Sequence, residues 1–191
     1  MAIKDYLEEK PVLKTERLLL RAYTPQDAAD LAEWLGDPDI YTYWGRDANA
    51  NEQEPARLFI DPRPHIKRKP SKDFVWGIVL QSTQKVIGEI QIFNIENDRM
   101  AKVAYRLSKA YWGQGITTEA LRCAVQFCFE HTEIQRLYSD VDVRNIPSWK
   151  AMERCGFFRE GLIRQGKMVS RYCDYYWYGL LLADYQAAQK R

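Results

Sequence analysis

"AYWGQGITTEAL", residues 110–121, sets two glycines around one polar residue directly before a helix-forming run. A helix N-terminus leaves its first N–H groups unpaired and carries about half a positive charge. Gly113 and Gly115 lack the Cβ that would keep a bulky anion off the backbone. Gln114, Gly115, Ile116 and Thr117 can therefore present successive N–H groups to a pyrophosphate, with the Thr117 and Thr118 hydroxyls at the rim. A plain turn before a helix accounts for the same glycines. Two common nucleotide fingerprints are absent: Thr118 stands where G-x-G-x-x-G needs its third glycine, and no P-loop lysine follows.

After the turn, Ile116, Ala120, Leu121, Ala124, Val125, Cys128 and Phe129 recur at helical spacing, wide enough for a helix packed on a sheet. "AKVAYRLS" before it and "IQRLYSDVDV" after it read as strands, giving a strand–helix–strand unit over 101–143. Upstream, "ERLLLRAY" reads as a strand over 18–23. Thr24, Pro25 and Asp27 then open a helix whose stripe is Ala28, Leu31, Ala32 and Leu35, closed by Gly36 and Pro38. "FVWGIVLQ" and "KVIGEIQIFNI" flank Ser82-Thr83-Gln84 as an antiparallel hairpin. A weaker helix is expected over 52–60. Residues 61–73, "DPRPHIKRKPSKD", read as a basic loop, either a solvated connector or a contact surface for an acidic or phosphate-bearing partner. A short helix over 147–155 and two β runs, "FFREGLIR" and "DYYWYGLLL", complete the chain. The expected fold is mixed α/β: a mostly antiparallel twisted sheet of about six to seven strands flanked by helices.

A chain of 191 residues with 46% hydrophobic residues builds one folded domain, here expected over 1–191 with residues 1–12 as a peripheral extension. A net charge of +2 carries no nucleic-acid signal. The start "MAIKDYLEEK" is charged where a signal peptide is apolar, and no run is long enough to span a bilayer. Cys123, Cys128, Cys155 and Cys173 lack metal-ligand spacing. Reduced thiols, a cytoplasmic location and no metal are expected.

The glycine turn resembles the pyrophosphate loop of the GNAT N-acetyltransferase superfamily, Q/R-x-x-G-x-G/A. Trp112 takes the Q/R place, Gly115 the glycine and Thr117 the last small residue. The wider string Tyr111-Trp112-Gly113-Gln114-Gly115 with Thr118-Glu119-Ala120-Leu121 is similar to the ribosomal-protein alanine N-acetyltransferases. So are Thr15-Glu16-Arg17-Leu18-Leu19-Leu20-Arg21 and Asn145-Ile146-Pro147-Ser148 followed by Lys150, Glu153 and Gly156-Phe157. The three stretches occur in the family's order, between about Leu13 and Leu182.

That resemblance implies acetyl-CoA as co-substrate, seated between two splayed strands, 101–108 and 134–143. Backbone groups around Tyr105, Arg106 and Leu107 would hold the pantetheine arm. Trp112, Gly113, Gln114, Gly115, Ile116 and Thr117 would take the pyrophosphate, with Asn145 and Ser148 along the arm's far side. The attacking amine must be neutral. At pH 7 an α-amine costs about 1 kcal/mol to deprotonate and a lysine roughly 4–5. Glu89 is the candidate base, because strict alternation leaves Glu89 and Gln91 on one polar side of their strand. A solvated glutamate on a half-exposed strand fits the same pattern. Ser148 is the candidate proton donor to the leaving thiolate, since Trp149 follows where many relatives place a tyrosine. Asn145 and Ser148 also fit a helix cap. The aromatics of "RYCDYYWYGLLLADY" are expected in the core or around the acceptor, and Asp174 matches an acidic position without an assigned role.

The expected activity is acetyl transfer to a primary amine by direct attack in a ternary complex, most readily to a protein N-terminus. A small amine (polyamine, amino sugar or amino acid) and a non-catalytic acyl-CoA-binding domain are the alternatives. A monomer and a homodimer both fit.

Overall fold

The computed structural model describes residues 1–7, 9–44 and 74–190. The expected helix over 52–60 and the basic loop 61–73 lie outside the described residues. Among the described residues eight strands form one sheet: β1 (Leu13–Lys14), β2 (Leu18–Arg21), β3 (Phe74–Leu80), β4 (Val86–Glu96), β5 (Met100–Leu107), β6 (Arg136–Asp142), β7 (Phe158–Met168) and β8 (Arg171–Leu181). Their order is β1-β2-β3-β4-β5-β6-β8-β7, and only β5 and β6 pair in parallel. Helices are α1 (Ala28–Leu35), α2 (Ile116–His131), α3 (Ile146–Arg154) and α4 (Leu182–Gln189).

The apolar stripe of α2 is buried throughout and packs on Leu20, Trp76, Ile78, Ile90, Ile92, Val103 and Leu137 of one sheet face. The other face, over β2–β4, is covered by Leu31, Trp34 and Leu35 of α1 with Ile40 and Tyr41. A register shift between Ile78 and Val79 resets the alternation of β4, so that Ile87 joins Ile90 and Ile92 in the α2 core while Val86 packs under α1.

Three expectations change. The first residues are not peripheral: Ile3 is fully buried in the main core, Tyr6 packs edge-on against Phe127, and Trp76 Nε1 donates to the Pro11 carbonyl at 2.9 Å. The closing hairpin is longer than its apolar runs, because pairing resumes past a register break at Gly166↔Cys173. Helix α4 was absent from the sequence reading. It buries no residue fully and holds on through Tyr185, which packs on Phe129 and donates to Glu130 at 2.6 Å.

Strands β5 and β6 share only three register pairs, Met100↔Arg136 to Lys102↔Tyr138, and then diverge. At the fork the Ser139 hydroxyl donates to the Val103 carbonyl at 2.9 Å, satisfying a buried acceptor that the ladder has abandoned. Beyond it β5 leans toward β4. Ser108 N donates to Ile87 O at 2.8 Å, and a Cβ on Gly88 would lie 3.1 Å from Leu107 Cα and closer still to the Arg106 carbonyl. The splay implied by the resemblance is present, and the missing Cβ at Gly88 leaves room for β5 to lie close to β4.

Candidate active site

The fork opens a cleft of about 500 Å³ between β5, β6, α2 and α3. Tyr105, Arg106, Leu107, Trp112, Gly113, Gly115, Ile116, Thr117, Asn145 and Ser148 all line it. Gln114 does not: its amide turns back to Ala110 O at 3.1 Å, and its carbonyl accepts from Arg17 at 3.0 Å. The cleft has two walls to join. Tyr105 of β5 meets Ser148 on the first turn of α3, and α2 is tied to the end of α3 where Cys155 Sγ meets Thr118 O at 3.5 Å and Arg122 donates to Arg154 O at 2.9 Å.

On the cleft wall Gly113 and Gly115 adopt φ of 74° and 75°, a region closed to most side chains. Gly115 is the N-cap of α2. No backbone N–H from Gly113 to Thr118 donates to another described residue, so the first turn faces the cleft with free donors. The half-exposed Trp112 anchors its indole N–H on Leu107 O at 2.8 Å, tying the turn to the end of β5. Beneath the turn, Glu119 accepts from Thr15 Oγ1 at 2.6 Å, Arg17 N at 3.0 Å and Arg17 Nε at 2.6 Å. Burial would raise the Glu119 pKa, but these donors outweigh it and hold the carboxyl below its usual value. Arg17, which has no role assigned by its sequence motif, braces the turn.

Across the cleft Asn145 is the N-cap of α3, accepting from Ser148 N at 3.4 Å. The Ser148 side chain instead faces the Tyr105 hydroxyl at 3.0 Å, and that hydroxyl also reaches Ser148 O at 2.9 Å. Burial pushes the Tyr105 phenol well up. Trp149 turns its indole N–H to Val143 O at 3.3 Å and is not part of the cleft wall.

Glu89 and Gln91 share a face as alternation requires, joined at 2.6 Å, but Glu89 is only 4% exposed rather than solvated. Its Oε1 accepts from Gln91 and from Arg106 Nε (2.8 Å) and Nη2, and its Oε2 from the Tyr23 hydroxyl at 2.8 Å. Tyr23 reaches it because Gly77 has no Cβ: one would lie 2.6 Å from the tyrosine ring. Burial and the adjacent Glu89 charge push the Tyr23 pKa well above its ordinary value. Arg106 lies over Trp44 at 4.6 Å, Tyr41 at 5.7 Å and Trp34 at 5.8 Å. Glu89 itself is not on the cleft wall; Arg106 stands between.

Among the described residues the carboxylates on the cleft wall are Asp39, Asp140 and Asp142, none of which the sequence motifs single out. Each is already paired: Asp39 with Lys109, Asp140 with Lys102, and the buried Asp142 with Arg144 at 2.7 Å and Arg171 at 2.9 Å. Lys150 and Arg154, by contrast, face the cleft with no carboxylate partner among the described residues, which suits a polyanionic ligand. The aromatics of the last strand do not line the cleft, and Asp174 accepts from Gln165 N at 2.8 Å, where the backbone has φ of 47°. No group of metal ligands occurs among the described residues, and no helix among them is long and apolar enough to cross a membrane.

A sheet that forks beside a glycine turn, with free N–H groups and spare cations on the cleft wall, is the architecture of an acyl-CoA-dependent transferase. The family model for the acetyltransferase (GNAT) domain matches residues 17–158, and the chain belongs to that family. It is 33% identical over 175 residues to Bacillus subtilis YdaF, provisionally named a ribosomal N-acetyltransferase, covering 90% of this chain and 94% of that one. Among solved structures, a GNAT-family acetyltransferase from Bacillus anthracis superposes with a TM-score of 0.77 at 22% identity, covering 91% of this chain and 99% of that chain. Spermidine N-acetyltransferase from Vibrio cholerae, solved with CoA and spermine, superposes with a TM-score of 0.73 at 20% identity, covering 90% and 99%. The protein is an acetyl-CoA-dependent N-acetyltransferase.

Proposed function

We propose that the acceptor is a protein N-terminal α-amine, acetylated by direct attack on acetyl-CoA in a ternary complex. One observation carries this reading: among the described residues, every carboxylate on the cleft wall is already paired with a lysine or arginine. A polyamine acceptor needs spare anions to hold its remaining ammonium groups, whereas an α-amine needs none and costs only about 1 kcal/mol to deprotonate at pH 7. The relationship to YdaF supports the same reading. Acetyl-CoA would lie along the fork, with its pyrophosphate on residues 112–117 and its thioester by Ser148, which donates to the leaving sulfur. Glu89 would take the amine proton through a water that replaces the Gln91 contact, since donors already surround both of its oxygens. A cytoplasmic location is supported by four free cysteine thiols.

The test compares kcat/KM for an alanine-initiated peptide, the same peptide with its α-amine blocked and a lysine added, and spermidine. The α-amine is expected to be preferred. Faster turnover of spermidine would replace this reading with the polyamine one.

A further inference from the structure

Tyr105 on β5 and Ser148 on α3 meet across the cleft, 43 positions apart, and the phenol oxygen lies within hydrogen-bond distance of both Ser148 O (2.9 Å) and Ser148 Oγ (3.0 Å). One O–H proton serves one acceptor at a time, so the pair has two arrangements. In the first, Tyr105 donates to the serine carbonyl and the serine hydroxyl donates back to the phenol oxygen. In the second, Tyr105 donates to Ser148 Oγ, and the serine proton is released into the cleft.

We propose that Tyr105 is a positioning residue for acetyl transfer, switching to the second arrangement as negative charge forms on the CoA sulfur so that Ser148 donates a hydrogen bond to the thiolate. The inference rests on the reading above that Ser148 faces the thioester. Neither hydroxyl ionises. The C–S bond breaks as the C–N bond forms, the acceptor nitrogen gives its proton to Glu89 through the water, and the CoA thiolate takes its proton from solvent on release. Two hydroxyls in series polarise one another, which strengthens the bond to an anion beyond what serine alone supplies. The raised phenol pKa keeps Tyr105 protonated throughout, so it is a persistent donor.

CoA alone is a sufficient probe, so no acceptor is needed. The thiol of bound CoA is titrated by thiolate absorbance, as a difference between complex and free protein. The protein's own thiols are subtracted, and burial pushes Cys155 up to about 11 and Cys128 up to about 12. In the wild type the bound thiol is expected to titrate about one pH unit below free CoA, the size of one charge-assisted hydrogen bond. Ser148→Ala should restore the free value and Tyr105→Phe should return part of the shift. In the Ser148→Ala background Tyr105→Phe should change nothing. If Tyr105→Phe titrates like the wild type while Ser148→Ala shifts, the inference is wrong and the reading of Ser148 stands. If neither shifts, Ser148 does not face the sulfur and both fall. Complete loss of CoA binding in Tyr105→Phe would also overturn the inference, since the hydroxyl would then be holding the cleft itself.

Discussion

The Arg17 guanidinium and the Glu119 carboxylate, 102 positions apart, meet at 2.6 Å beneath the glycine turn. The contact joins two sequence stretches that carry the family resemblance, "TERLLLR" and "TTEAL", into one brace. Arg17 continues to the Gln114 carbonyl, so the residue between the two glycines is fixed from below while its neighbours' N–H groups point up into the cleft. The glycines supply the backbone shape and the brace holds it.

Glu119→Gln is therefore expected to weaken both folding and cofactor binding. The pair is partly exposed, with side chains 43% and 20% accessible, so the stability loss is about 1–2 kcal/mol, or roughly 2–8 °C in Tm. The Glu119 pKa is lowered in the fold, so its contribution is complete above about pH 4.5 and is lost as pH falls through the lowered value. Thermal melts of both proteins from pH 7 to 3 should converge at the acid end. A gap that is constant with pH would exclude the ionised carboxylate as the source.

Gly115→Glu places both a Cβ and a negative charge where φ is 75° and phosphate is expected. Acetyl-CoA at a hundredfold its Kd should stabilise the wild type by about 2.7 kcal/mol, near 5–11 °C, and leave the variant unmoved. Gly115→Asn, which tolerates this backbone region, separates strain from charge and should keep part of the rise. An equal rise in all three would reduce the glycines to a turn.

Much of this was legible in the chain. The α2 stripe and the parallel unit around it follow from local spacing, because helix periodicity is written within a few residues, and nearly all the residues that the family resemblance pointed to lie on one cleft. What could not be read is what depends on distant partners. Nothing near Glu89 says that Arg106 and Tyr23 will enclose it, and nothing near Asp142 announces Arg171 from the far hairpin. Ser139 did leave a signal, a polar residue between the inward-facing Leu137 and Val141, which marks where the ladder stops. Ile3 left little, because a short apolar stretch at a chain end looks the same docked or free.

Gly88→Ala tests the origin of the fork. The new methyl group would press on the Arg106 carbonyl and on Leu107 Cα, both backbone, so the strand rather than a side chain must move. Overpacking of this kind costs about 1–3 kcal/mol. Pushing β5 back toward β6 should narrow the cleft, so acetyl-CoA affinity is expected to fall more than stability. Calorimetry of acetyl-CoA binding in the variant decides it; unchanged affinity would mean that the Ser139 contact alone holds the fork open.

Asp142→Asn removes the anion shared by Arg144 and Arg171. Burial would raise the Asp142 pKa, but the Arg144 hydrogen bonds and the charges of both arginines hold it below its usual value. Its contribution is thus present above about pH 3.8 and disappears as pH falls through the folded value. Leaving two guanidiniums without their buried partner should cost about 3 kcal/mol at neutral pH. Because Arg171 also donates to Thr42 O at 2.6 Å, hydrogen exchange near residues 40–43 should quicken with it. Unaltered exchange there would break the proposed link between the hairpin and the cleft wall.

Glu89→Gln cannot be interpreted alone. Glu89 and Arg106 side chains are 5% and 11% exposed, so removing the carboxylate leaves a nearly buried cation, and destabilisation of about 3–5 kcal/mol is expected whatever the chemistry. Replacing both partners, as Glu89→Gln with Arg106→Gln, removes that uncompensated charge and should recover much of the stability. The two roles of Glu89 then separate. If its carboxylate accepts the amine proton, the double variant binds acetyl-CoA and melts near the wild-type temperature, yet its turnover per folded molecule stays down by about 10²-fold or more. If Glu89 serves only to neutralise Arg106 within its aromatic surround, turnover returns together with stability. Single-turnover acetyl transfer to the alanine-initiated peptide, with the folded fraction measured in parallel, distinguishes the two.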